Sequence, residues 1–366
     1  MKLFSCQGCG QLLYFENVLC ENCGRGLGYL TDLTEISALD PAENGWTVLA
    51  APDKAYKFCL NYDAGMCNWM VPADDPVGFC AACRHNRTVP DLTVPGNDVL
   101  WRKIETAKHR LFYSLLRLGL PLENRTDDPE HGLAFDFLSD PPETHAQGVM
   151  TGHDNGLITL AVREADDVVR EKVRSEMGEP YRTLLGHFRH ESGHYFWDRL
   201  VATNEPMLNA FRALFGDDRQ DYDQALQRHY NDGPPVDWRE NYISMYATMH
   251  PWEDFAETWA HYLHIVDTLE TAGAFGLKVK PRAARGHIEA AIDFDPYRTR
   301  RWDTLIEAWL PIEFATNSMN RSMGLTDLYP FLLSPKAIEK LAFVHALTRR
   351  PDEVVKTAVD NLMKTA

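Results

Sequence analysis

Trp101, Ile104, Leu111, Leu115 and Leu118 recur at near-helical intervals with Lys103, Glu105, Lys108 and Arg110 between them. The pattern predicts an amphipathic helix from about Val99 to Leu118, with Asn97-Asp98 as its cap and Gly119 and Pro121 as its end. A charged helix is expected over 168–176. Pro180 then opens a helical stretch that carries several histidines and runs to about residue 215. Phe255, Trp259 and Tyr262 place another helix within 241–264. Trp302 to Trp309 reads as a helix ended by Pro311, and Ser334-Pro335 caps a last one that includes Ile338, Leu341, Val344 and Leu347. The strand signal is brief: Asn155-Gly156 between two short apolar runs in 148–162 predicts a hairpin. Residues 84–100 read as a linker, 123–145 as an irregular surface segment rich in Asp, Pro and Glu, and 217–237 as a polar stretch.

The cysteines change this picture from a plain helical protein to one with a metal-bearing N-terminus. All eight precede residue 84. Cys6-x-x-Cys9 and Cys20-x-x-Cys23 are two knuckles, each presenting two thiolates on a tight turn, and two facing turns complete a four-sulfur zinc site. Cys80-x-x-Cys83 is a third knuckle. Cys59 and Cys67 have no standard spacing, yet four cysteines within twenty-five residues favour a second structural zinc over disulfides. Full coordination by cysteine leaves no open position, so both sites are expected to be structural. The expected divisions are 1–45 for a zinc ribbon, 46–95 for a second four-cysteine module and 96–366 for the remainder.

The formal charge of −16 argues against a nucleic-acid partner bound through phosphates, and the first hundred residues follow the same trend, with six Lys and Arg against twelve Asp and Glu. No run approaches the roughly 18 apolar residues that span a bilayer, and the N-terminus has no signal-peptide core. A cytoplasmic protein without a membrane partner is expected.

The chemistry centres on His190-Glu191-Ser192-Gly193-His194. Residues four apart share a helix face, so His190 and His194 can both reach one cation while Glu191 touches a water bound to it. A catalytic zinc needs a third protein ligand and keeps its fourth position open. The candidate segment is Trp252-Glu253-Asp254-Phe255-Ala256-Glu257, whose two glutamates lie one turn apart: one can bind metal while the other orients a histidine through its free ring N–H.

These two segments resemble the gluzincin pattern and are similar to the catalytic domain of anthrax lethal factor. Through the run from Tyr246 to Tyr262, the whole chain resembles a bacterial family of zinc-binding metallopeptidases with an N-terminal zinc ribbon. The resemblance implies an α+β fold: a mainly helical zincin-like domain with a small antiparallel sheet, preceded by the four-cysteine modules. It implies Glu253 as third ligand, Glu257 as the carboxylate behind a histidine, and Tyr246 as the hydroxyl that steadies the oxyanion, with Tyr242 and His250 as alternatives. The implied cofactors are one catalytic zinc and one or two structural ones. The implied partner is a peptide or protein substrate, hydrolysed with Glu191 as general base. The competing reading is a ribbon-bearing scaffold whose protease fold has lost its chemistry. His187, His153, His261, His264 and Asp198 are minor candidates. The longer gap between His194 and Glu253 leaves room for an inserted lid or pocket wall.

Overall fold

The computed structural model describes residues 1–42, 45–140, 148–282 and 288–349. Its contacts divide the chain into two compact units. One comprises residues 1–113, 122–152 and 156–172, and the other comprises 114–121, 153–155 and 173 onward.

The first unit begins with a short antiparallel pair, β1 (Phe4–Ser5) and β2 (Leu12–Leu13), beside the first cysteine knuckle. Five strands follow: β3 (Leu27–Leu30), β4 (Glu35–Ala42), β5 (Gly45–Val48), β6 (Ala55–Phe58) and β7 (Trp69–Pro72). They close into a barrel through a parallel pairing of β3 with β7, Tyr29 opposite Trp69. Leu30, Leu39, Val48, Tyr56 and Met70 fill its interior. Gly28 leaves room for the Met70 side chain in that interior, since a Cβ there would stand 2.4 Å from its sulfur. The barrel is larger than the small antiparallel sheet expected; four of its strands have only four residues, and β4 buries four positions in a row instead of alternating. The expected division at 45/46 falls inside β5, whose Gly45 and Trp46 pair with Ala42 and Pro41 of β4.

Next come β8 (Asn86–Thr88) and α1 (Asn97–Leu118), the helix that the apolar spacing predicts. β8 and β11 (Leu157–Ala161) flank β9 (Ala134–Leu138), both in parallel. β9 corrects the reading of 123–145 as irregular surface: Ala134, Phe135 and Phe137 are buried, and the acidic flanks hid a five-residue strand. Residues 141–145 of that segment lie outside the described residues. β10 (Gly152–Asp154) precedes the Asn155-Gly156 turn, where both residues have positive φ. α2 (Asp167–Glu176) stands where expected.

From residue 173 onward the described residues of the second unit are mainly helical, with one short antiparallel pair, β12 (Lys278–Val279) and β13 (Ala290–Ala291). α3 (Leu184–Trp197) starts later than Pro180, because Thr183 supplies the cap: its hydroxyl accepts from Gly186 N at 2.9 Å. A π-helical turn, Asp198–Ala202, ends it, and Asn204 caps α4 (Glu205–Phe215). The polar stretch 217–237 contains α5 (Tyr222–Asp232), capped by Asp221, and α6 (Trp238–Asn241) follows.

α7 (Pro251–Ala274) is the axis of the unit. His250 caps it and Pro251 starts it. Glu253, Phe255, Ala256, Thr258, Trp259, His261, Tyr262 and Ile265 are buried, on faces that together cover most of its circumference. α8 (Trp302–Ser322) runs straight through Pro311 and so corrects the expected stop. Burial of Leu305, Ile306, Trp309 and Ile312 outweighs the roughly 3 kcal/mol that an interior proline costs. α9 (Pro335–Arg349) is capped by Ser334, whose Oγ accepts from Ala337 N at 3.0 Å.

Candidate metal centres

α3 and α7 cross at a close approach. Gly193 faces Ala256, Phe196 stacks on Trp259 with ring centroids 4.8 Å apart, and the Trp259 indole donates to Ser192 Oγ at 3.2 Å. This crossing brings together residues sixty positions apart in sequence. One donor atom each from His190, His194 and Glu253 lie within 4.8 Å of one another.

The two glutamates of α7 divide as follows. Glu253 Oε2 is 2.9 Å from His190 Nε2, and Glu253 Oε1 is 3.5 Å from His194 Nε2. Glu257 Oε1 instead accepts from His190 Nδ1 at 2.7 Å, and its Oε2 accepts from Ser244 Oγ at 2.6 Å. His190 therefore has its Nδ1 proton held from behind, which leaves the Nε2 lone pair facing Glu253. His194 is fixed differently, by the Trp252 ring 3.7 Å away.

These donors suit a cation better than they suit each other. Glu253 Oε2 is buried and makes no hydrogen bond, although His190 Nε2 lies at contact distance. Two imidazole nitrogens and a carboxylate converging on one point fit a metal ion. Two imidazoles with one carboxylate are a zinc set that leaves a position open. Desolvation opposes charge on both partners. Even so, the two imidazoles hold the Glu253 carboxyl well below the usual carboxylate range, and Glu253 with Glu257 raise His190 well above the usual histidine range. Glu191 is buried next to this set, and burial pushes its carboxyl upward.

Tyr246 lies on a 3-10 turn just before α7, its ring 5.8 Å from that of His190. The two alternatives to it are engaged elsewhere. His250 Nδ1 accepts from Trp252 N at 3.1 Å and its Nε2 meets Gln220 O at 3.1 Å, while the Tyr242 ring lies under Lys340 Nζ at 4.3 Å. His261 bonds Tyr329 and His264 lies against Arg189, so neither joins the donor set. His153 stacks 6.1 Å from His194, and Asp198 lies 3.9 Å from His153 rather than behind a ligand. His187 is not among the donors. Sequence reasoning passed over Ser244, Trp252 as a ring clamp, and Tyr222, whose hydroxyl donates to Glu253 Oε1 at 2.8 Å. No local spacing marks Tyr222, which stands thirty-one residues before its partner.

The cysteines gather as two groups of four: Cys6, Cys9, Cys20 and Cys23, then Cys59, Cys67, Cys80 and Cys83. Sulfur separations of 3.6 Å (Cys9 to Cys20) and 3.7 Å (Cys6 to Cys23, Cys67 to Cys80) suit thiolates arranged around one ion. The second group is fully buried and has a neighbour the sequence did not announce. His109 of α1 places Nε2 3.3 Å from the Cys67 sulfur and 3.7 Å from that of Cys83, with Nδ1 donating to Glu105 O at 2.6 Å.

Two four-cysteine clusters and a buried two-histidine, one-carboxylate set define a protein built to hold metal ions. Comparison with known sequences gives the family. Residues 97–347 match the family described as "Putative zinc-binding metallo-peptidase", and residues 3–94 match a zinc-ribbon domain. The chain belongs to this zinc-binding metallopeptidase family and carries the N-terminal ribbon. It is 44% identical over 354 residues to uncharacterized proteins of Mycobacterium bovis and of two Mycobacterium tuberculosis strains, covering 97% of this chain and 96% of each of theirs. No solved structure matches the chain, so the narrower likeness to anthrax lethal factor rests on the two motifs alone. No helix among the described residues is long and apolar enough to cross a membrane.

Proposed function

We propose that the chain is a gluzincin-type zinc peptidase that hydrolyses peptide or isopeptide amide bonds at His190, His194 and Glu253. The reading is carried by one observation: a buried carboxylate oxygen, Glu253 Oε2, that makes no hydrogen bond and faces His190 Nε2 at 2.9 Å.

Zinc bound by these three residues would supply an acidified water and a Lewis acid for the scissile carbonyl. The chain's own groups do the rest. Glu191, adjacent to His190 on α3, takes the proton of the attacking water and returns it to the leaving nitrogen. Tyr246 donates its phenolic O–H to the oxygen on which negative charge develops. Glu257, itself held by Ser244, keeps His190 in the tautomer that offers Nε2. The eight cysteines hold structural zinc in closed four-sulfur sites.

Glu191→Gln tests the reading with zinc-loaded full-length protein, fluorescein-labelled casein and a mixed hexapeptide pool. The expected result is retained zinc with hydrolysis lowered by about 10²–10⁴-fold, the contribution of a positioned base. Hydrolysis retained by the variant would refute Glu191 as base. Wild-type protein with zinc only at the cysteines would refute the centre itself.

A further inference from the structure

The polar stretch between α4 and α7 delivers a side chain to the centre. Tyr222 is the first residue of α5, and its hydroxyl donates to Glu253 Oε1 at 2.8 Å. Three contacts fix it there. Asp221 caps α5 by accepting from Gln224 N at 2.9 Å. His250, which caps α7 through Nδ1, donates from Nε2 to Gln220 O at 3.1 Å, one residue before that cap. Thr248 Oγ1 and His229 Nδ1 stand 3.3 Å apart further along.

A glutamate carboxylate rotates in a broad well about its last torsion, so either oxygen of a free Glu253 could face a cation, or both could. The Tyr222 O–H removes that freedom. Oε1 is occupied, and Oε2 is left without a hydrogen bond on the side of His190 Nε2. We propose that Tyr222 is a positioning residue for the candidate metal centre, holding Glu253 so that one chosen oxygen meets the ion. Glu257 does the same for His190 from the opposite side, so two of the three ligands are set by hydrogen bonds from outside the donor set. The inference rests on the assignment of His190, His194 and Glu253 as metal ligands. It also gives the segment inserted after α4 a function as a fixed wall of the site.

The test compares full-length wild type, Tyr222→Phe and His229→Ala, with the cysteine sites loaded. The measurements are the zinc dissociation constant of the remaining site by chelator competition, the visible absorption of its cobalt form, and the melting midpoint without metal in that site. Tyr222→Phe is expected to weaken zinc 10- to 100-fold, the range for partners lying behind a metal ligand, and to alter the cobalt spectrum while the midpoint stays put. His229→Ala is expected to leave affinity and spectrum unchanged. His229→Ala loosens α5 without touching the phenol. If it weakens zinc as much as Tyr222→Phe, α5 acts only as an anchor and the proposal is overturned. Zinc affinity within twofold of wild type for Tyr222→Phe, with an unchanged cobalt spectrum, overturns it as well. A wild type that takes no third zinc would sink the ligand assignment instead, and the two failures are therefore distinct.

Discussion

Gly193 sits between the two histidines that define the centre, and its missing side chain sets the distance between α3 and α7. An added Cβ would stand 2.8 Å from the Ala256 Cα, 3.2 Å from the Trp259 Cβ and 3.3 Å from the Ala256 Cβ. The nearest of these is backbone, so no rotamer change relieves it, and the helices have to separate by about half an ångström or more. Overpacking of this kind costs about 1–3 kcal/mol. Alanine's better helix propensity returns about 0.8–1.0 kcal/mol, which leaves a net loss of fold stability of about 0–2 kcal/mol. The larger effect is expected in metal affinity, since coordination distances tolerate only about 0.2 Å. Binding zinc must pull the separated helices back together, and each 1.4 kcal/mol of that cost is a factor of ten. Gly193→Ala is therefore expected to weaken zinc at His190, His194 and Glu253 by about tenfold or more, while both cysteine clusters keep theirs. Chelator competition, with zinc counted per chain, measures this. Unchanged affinity at that site would refute the argument that the helix crossing builds the centre, and so would an equal loss at the cysteine clusters.

Two further outcomes follow from other parts of the molecule. Cys80→Ser should remove one zinc per chain and destabilise the first unit, because it leaves Cys59, Cys67 and Cys83 buried around an incomplete site; an unchanged zinc count would argue against a second cysteine-bound ion. Burial, with the Asp327 charge adding to it, pushes the Glu313 carboxyl of α8 up to about 7. The folded state then keeps a proton that the unfolded state has released. That contribution is full below pH 4.5 and is lost as pH rises towards 7. Glu313→Gln should flatten this part of the stability profile in urea titrations at several pH values, and a slope identical to wild type would refute it.

Much of the chemistry was legible because it is local. C-x-x-C knuckles, histidines four apart and a glutamate beside them are short-range geometry, and a helix or tight turn converts that spacing directly into proximity. The span of α1 followed from its apolar spacing for the same reason. The barrel did not, because four of its five strands have only four residues and closure depends on β3 meeting β7, forty residues later. Pro311 misled because local propensity opposed a helix that burial of its neighbours stabilises.

The sequence by itself determined which residue types could bind metal and which pairs of them share a helix face. Only the tertiary structure decided that Glu253 faces both histidines while Glu257 stands behind one, that Tyr222 holds Glu253, and that His109 lies against the second cysteine cluster. Each of these pairings joins residues 26 to 67 positions apart. No periodicity reaches that far along a chain. Such partners are chosen by how helices pack, and here the packing turns on a glycine that lets two backbones nearly touch.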